Sequence, residues 1–158
     1  MSYRWAALMV LALFALTPEQ AAGQQAGARS GNPAGRMGRN FPNPFNPLTN
    51  LYFEVGEMTG DPNNPVCVDP GQQHRVTIRI YNVLTQLVAT PDFFGVHETG
   101  PGTSSAIGKM DNLALPCGRY VAQWDGKIRG REVPSGTYFW TLIVDGRQIG
   151  MKKMFAAK

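Results

Sequence analysis

The chain has 158 residues with a formal net charge of +4, only 16% charged residues, 18 glycines and 12 prolines. That length fits one hydrophobic core plus tails, and a turn-rich, charge-poor composition argues for short strands and against a helical bundle. The modest positive charge can bias the protein toward anionic surfaces but argues against a dedicated nucleic-acid binder.

Residues 1–23 read as a secretory signal: Arg4 precedes the unbroken apolar run Trp5 to Leu16, and small residues follow at Ala21, Ala22 and Gly23. Cleavage before Gln24 fits the small-residue rule, and Ala26 and Ala28 give a second A-x-A site. The apolar run is about a dozen residues where a bilayer-spanning helix needs about 20, so a cleaved signal with no permanent transmembrane helix is expected, a retained anchor being the alternative. Residues 24–39 are rich in Gly, Ala and Gln, lack acidic residues and carry Arg29, Arg36 and Arg39. A segment of this kind buries too little surface to order itself and reads as a flexible basic linker.

Residues 40–158 form the expected domain. Asn40-Phe41-Pro42-Asn43-Pro44-Phe45-Asn46-Pro47 alternates prolines with aromatic and Asn residues, which fixes an extended or turning strap and offers two rings for packing. Leu48 to Val55 then alternates as a half-buried strand with Leu51, Phe53 and Val55 on one face. Gly56 to Gln73 is dense in turn formers and reads as a long loop. Val76, Ile78 and Ile80 mark the clearest strand, and a turn near Asn82 leads to its hairpin partner at Gln86 to Thr90. Pro91 to Pro116 has little periodicity and reads as a second long loop, functional or mobile.

Gly118 to Asp125 is the next strand, with Tyr120, Ala122 and Trp124 on one face. Thr137 to Val144 is apolar on both faces, as the interior of a sheet requires, and Asp145-Gly146 turns into a final strand from Gln148 to Ala156. About seven strands without an amphipathic helix match an immunoglobulin-like antiparallel β-sandwich with two long loops. Cys67 and Cys117 are the two cysteines. In an exported protein they are expected to pair, closing a loop of about fifty residues worth about 4 kcal/mol in the chain-entropy model. Two separate buried thiols are the alternative.

The strap Asn40 to Pro47 resembles the N-Y-P-N-P-F-N-P opening of Ig-like C-terminal domains of secreted bacterial proteins, including type IX secretion sorting domains and the Ig-like domain of the flagellar hook-capping protein FlgD. Further pieces resemble that family in order. They are Val76 to Ala89, where a glycine often stands in the family at the position of Thr85; Trp124-Asp125-Gly126; Val133-Pro134-Ser135-Gly136-Thr137-Tyr138-Phe139; and Met151-Lys152-Lys153-Met154. The resemblance implies an Ig-like fold and export. It makes Lys152, Lys153 and Met154 a candidate sorting strand, although a sorting domain usually follows a large cargo and both long loops look like insertions.

No grouping of residues points to catalysis. Ser104 and Ser105 lack a nucleophile-elbow context, and no Cys, His and acid cluster has a recognisable spacing. Asp61, Asp69, Asp92 and Asp111 read as turn residues rather than calcium ligands, and no cofactor or metal is expected. Asn43, Pro44, Phe45, Asn46, Pro47, Trp124, Asp125, Gly126, Pro134, Ser135, Gly136 and Tyr138 read as structural. The expected function is a non-catalytic module at the periplasm or cell surface that docks to a protein complex of the envelope, an accessory subunit on the periplasmic face of a membrane complex being one form of it. A type IX secretion substrate or cell-surface attachment domain, and a small hydrolase using the loop from Pro91 to Cys117, are the alternatives.

Overall fold

The computed structural model describes residues 34–61, 63–96 and 107–158. The signal, most of the basic linker and the middle of the second long loop lie outside the described residues. In chain order the strands are β1 (Gly35–Phe41), β2 (Thr49–Val55), β3 (Met58–Asp61), β4 (Asn64–Cys67), β5 (Gln73–Asn82), β6 (Leu87–Ala89) and β7 (Asp92–Val96). They continue as β8 (Gly108–Lys109), β9 (Leu113–Pro116), β10 (Gly118–Trp124), β11 (Lys127–Ile128), β12 (Arg131–Glu132), β13 (Gly136–Val144) and β14 (Arg147–Ala156). The described chain is all-β, and every ladder is antiparallel.

Two sheets hold most of these strands. One runs β1-β2-β10-β7-β8; the other runs β14-β13-β5-β6, with β9 also pairing the first half of β5. The period of two in the sequence decides their inner faces. Leu51, Phe53 and Val55 on β2 and Tyr120, Ala122 and Trp124 on β10 are buried from one sheet; Val76, Ile78 and Ile80 on β5 and Tyr138, Trp140, Leu142 and Val144 on β13 are buried from the other. All belong to one core, as a single interior between two half-apolar sheets requires. The chain crosses between sheets after β2, β6, β8, β9 and β10, so neither sheet assembles alone.

Four expectations change. Gly35 to Arg39, read as the end of the linker, are most of β1, because their backbone pairs with β2 from Gly35↔Val55 onward. Backbone hydrogen bonding there replaces the apolar content the segment lacks. The loop from Gly56 to Gln73 contains the β3–β4 hairpin. The loop from Pro91 to Pro116 contributes β7, β8 and β9, and Met110 is fully buried: its carbonyl accepts from Ile78 N and its N–H donates to Pro91 O. In the strap only Phe45 packs, at 1% exposed, whereas Phe41 is 59% exposed and lies 6.0 Å from the Arg39 guanidinium.

Candidate functional site

The motif residues converge on one end of the molecule. Phe45 from the strap, Trp124 from the end of β10 and Tyr138 from β13 form an aromatic triad with ring centroids 5.3, 6.5 and 5.4 Å apart. The strap is fastened to the end of the chain by two main-chain bonds, Phe45 N donating to Phe155 O and Ala157 N to Phe45 O, and by the Asn43 side chain, whose Oδ1 accepts from Phe155 N. Asn46, Pro44 and Pro47 lie exposed on this strap. Trp124 Nε1 donates to Lys127 O, and Asp125 Oδ1 accepts from Lys127 N at 3.0 Å, which caps the turn. Gly126 has φ +67 and the Pro47 carbonyl lies where its Cβ would be. A side chain is excluded there by space as well as by backbone conformation. Ser135 Oγ accepts from Lys158 N, and Gly136 opens β13. This cluster is an internal fastening, and its rings are not offered to a partner.

The opposite end carries the disulfide. Cys67 and Cys117 are bonded with Cα atoms 5.9 Å apart, tying the β3–β4 hairpin to the start of β10. Beside it Glu54 receives Arg36 through Nε at 2.8 Å and NH2 at 2.9 Å, and Arg119 through Nε at 3.2 Å. Burial alone pushes the Glu54 carboxyl up, but the two guanidiniums outweigh it and hold the group below the ordinary carboxylate range. His74 Nδ1 lies 2.7 Å from Asp145 Oδ2, while Arg75 N donates to Asp145 Oδ1 and Asp145 N to Arg75 O. Burial raises Asp145 and these contacts with His74 and Arg75 together lower it further than burial lifts it. His74 Nε2 is buried without a partner among the described residues. The pair fastens the β13–β14 turn to β5.

Both ends share a device that sequence reading missed. Tyr120 OH donates to Pro116 O at 2.8 Å and Tyr138 OH to Pro134 O at 3.1 Å, each reaching back four residues. The signal was present as a repeated Pro-x-Gly-x-Tyr, in Pro116-Cys117-Gly118-Arg119-Tyr120 and Pro134-Ser135-Gly136-Thr137-Tyr138. At Gly118 a Cβ would come within 2.9 Å of the Tyr120 hydroxyl, so the first copy needs its glycine. Burial raises both phenols.

The exposed apolar and basic surfaces lie elsewhere. Asn82 organises the β5–β6 turn: its Oδ1 accepts from Leu84 N and Gln86 N, and its Nδ2 donates to Gln86 Oε1 at 2.8 Å. Thr85 sits at φ 57, a conformation that glycine adopts at lower cost. This turn holds Val83 and Leu84 outward at 62% and 70% exposed, with Leu87 behind them at 54%. On β14, the edge strand of its sheet, Met154 is fully buried while Lys152 and Lys153 are exposed, and Lys153 Nζ stands 5.2 Å from the Phe155 ring centroid. Asp61 and Asp69 accept from Asn63 N and Gly71 N, and Asp92 pairs with Lys109 at 2.8 Å, so these carboxylates serve turns and an ion pair.

No family model matches the chain, and no curated protein matches it. Among solved structures it is similar to the Pseudomonas fluorescens alkylpurine DNA glycosylase AlkC bound to DNA containing an abasic site analogue, at 16% identity and a TM-score of 0.43. That match covers 79% of this chain and 31% of the glycosylase. Similarity at this level carries no statement about fold or activity here.

Proposed function

We propose that this protein is an exported, non-catalytic interaction module with an immunoglobulin-like β-sandwich, which docks to a protein complex of the cell envelope as an accessory subunit on its periplasmic face. The observation that carries this reading is the β5–β6 tip. Three large aliphatic side chains stand in solvent on a turn that Asn82 pins by side-chain hydrogen bonds. Ordered, exposed aliphatic clusters are costly to hydration and are a recurrent mark of protein contact surfaces. The Cys67–Cys117 bond supports an oxidising compartment. The two tyrosine hydroxyls bonded back to upstream carbonyls, together with repeated crossing between two facing sheets, support the immunoglobulin-like assignment. The Asn-Pro-Phe strap and the Trp-Asp-Gly and Pro-Ser-Gly motifs support kinship with secreted Ig-like C-terminal domains.

The test places a photo-crosslinking residue at Leu84 of the full chain expressed in its native envelope. One crosslinked protein species is expected, lost in the double variant Val83→Ser, Leu84→Ser while folding persists. A monomer without a crosslink overturns the reading.

A second reading, in which β14 is a sorting strand for type IX secretion, is favoured by Lys152 and Lys153 being exposed on an edge strand. Deleting residues 152–158 would not test it, since Met154 and Ala156 are core residues. Lys152→Ala with Lys153→Ala leaves the core intact, and unaltered export of that variant excludes the reading.

A further inference from the structure

The two main sheets treat charge differently. In the sheet that runs β1-β2-β10-β7-β8, cations meet acids: Arg36 and Arg119 close on Glu54, and Lys109 lies 2.8 Å from Asp92. Strands β6, β5, β13 and β14 of the other sheet carry the cations Arg75, Arg79, Arg147, Lys152 and Lys153 and contain no Asp or Glu. Neither Arg79 nor Lys153 has an ion pair among the described residues.

The register puts both of these cations on the outer face of their sheet. Ile78 and Ile80 of β5, Trp140 and Leu142 of β13 and Met154 of β14 are buried inward, so their alternates point out. One row of cross-strand partners runs Leu87, Tyr81, Phe139, Lys153 through all four strands, and the next runs Arg79, Thr141, Met151. Phe155 shares the face two residues beyond Lys153, whose Nζ stands 5.2 Å from its ring centroid. Leu87, Met151 and Phe155 are exposed, and Tyr81 and Phe139 are half-buried. The face is therefore aliphatic and aromatic, with two unmatched cations at its margins.

We infer that the outer face of β6-β5-β13-β14 receives a protein surface with an apolar centre and carboxylates that meet Arg79 and Lys153. The inference rests on the interaction-module reading above: through Leu87 it extends the exposed tip into a docking face, and it gives the partner its charge. Aromatic residues, Met and Arg on one plane, with Asp and Glu absent, are the make-up enriched where two proteins bury surface against each other. A second copy of this chain does not fit, because face against face would bring cations together with no acid between them. A polyanion needs cations in succession, whereas β13, with Phe139 and Thr141, separates Arg79 on β5 from Lys153 on β14.

Met151 on β14 and Leu84 beside β6 stand at opposite ends of the sheet order, so two crosslinks bracket the face. The experiment places p-benzoylphenylalanine at Met151 of the full chain in its native envelope and compares the product with that from Leu84. The same protein species is expected from both, with the Met151 product joined to a segment that contains Asp or Glu when sequenced by mass spectrometry. Arg79→Glu with Lys153→Glu is expected to reduce the Met151 product about tenfold per chain present in the envelope, the scale of two charged contacts reversed. Arg79→Lys with Lys153→Arg is expected to retain it. Both positions are exposed, and thermal melting checks that each variant folds. A product joined to a second copy of this chain, a product removed by nuclease or glycosidase, a segment without acidic residues, or an equal yield from the charge-reversed variant overturns the assignment. If the Leu84 product persists in that case, the interaction-module reading survives; if neither position crosslinks, both readings fall.

Discussion

The two ends of the sandwich solve the same problem with different materials. At the strap end, Phe45, Trp124 and Tyr138 pack ring against ring, and the strap closes on β14 through main-chain bonds. At the other end Tyr120 still has ring neighbours in Phe53 and Phe93 at 5.8 Å, but closure comes from a covalent bond and from the charged contacts of Glu54 and Asp145. A turn-dense hairpin such as β3–β4, with exposed Val66 and few apolar neighbours, buries too little to hold itself. The cross-link supplies what packing does not. The lesson is that in this small all-β chain the apolar-poor end is tied covalently, and the aromatic-rich end is left free of cysteine.

The sharpest break of that comparison is at the aromatic end. Trp124→Ala is expected to destabilise by about 3–5 kcal/mol, because the ring is 2% exposed and leaves a cavity between two sheets. Denaturant unfolding measures it, and a loss under 1 kcal/mol would show that the triad is not the fastening. Next comes the covalent end: Cys67→Ser with Cys117→Ser is expected to cost about 2–4 kcal/mol. Hydrogen exchange should then rise in β3, β4 and the start of β10 before it rises around Phe45. Uniform loss of protection would mean that the ends are not separately fastened.

A smaller effect compares the shared bolts. Tyr120→Phe and Tyr138→Phe each remove one hydroxyl bond and are expected to cost about 1 kcal/mol. Equal losses would mark the two Pro-x-Gly-x-Tyr devices as equivalent; a loss at one only would show that the other's carbonyl is served by water. The smallest effect is on pH dependence. Glu54 and Asp145 both have folded pKa values lowered from their ordinary ones, so their stabilisation is present above the unfolded carboxylate range near about pH 4 and is lost as pH falls through the lower folded values. Both lie at the disulfide end. Acid should therefore loosen that end first, and Glu54→Gln should flatten the fall in stability measured by denaturation between pH 6 and pH 3. An unchanged slope would remove Glu54 from the account.

Legibility in the sequence followed the physics of each region. Strands β2, β5 and β10 bury Leu51, Phe53 and Val55, or Val76, Ile78 and Ile80, or Tyr120, Ala122 and Trp124 at every second position, so their alternation was readable directly, while β13 was readable as an apolar run. Strand β1 was not, because Gly35-Arg36-Met37-Gly38-Arg39 earns its place by backbone pairing and by the Arg36–Glu54 contact, neither of which has a periodic signature. The pieces β7, β8 and β9 are two to five residues long and are held by Phe93, Met110 and Leu115, buried side chains too widely spaced to show a period in a segment otherwise read as loop. The exposed tip at Val83-Leu84 was written in the sequence as apolar residues inside a turn. The His74–Asp145 contact spans 71 positions, so it exists only after folding.

The fastening of Asn43 and Phe45 to Phe155 and Ala157 joins positions 112 residues apart. A chain made amino end first cannot seat Phe45, or complete the interior that Met154 and Ala156 finish, until its last strand exists. The same topology that locks the two sheets together thus ties closure of the core to the carboxyl-terminal end, so a partly made chain holds an unfinished interior.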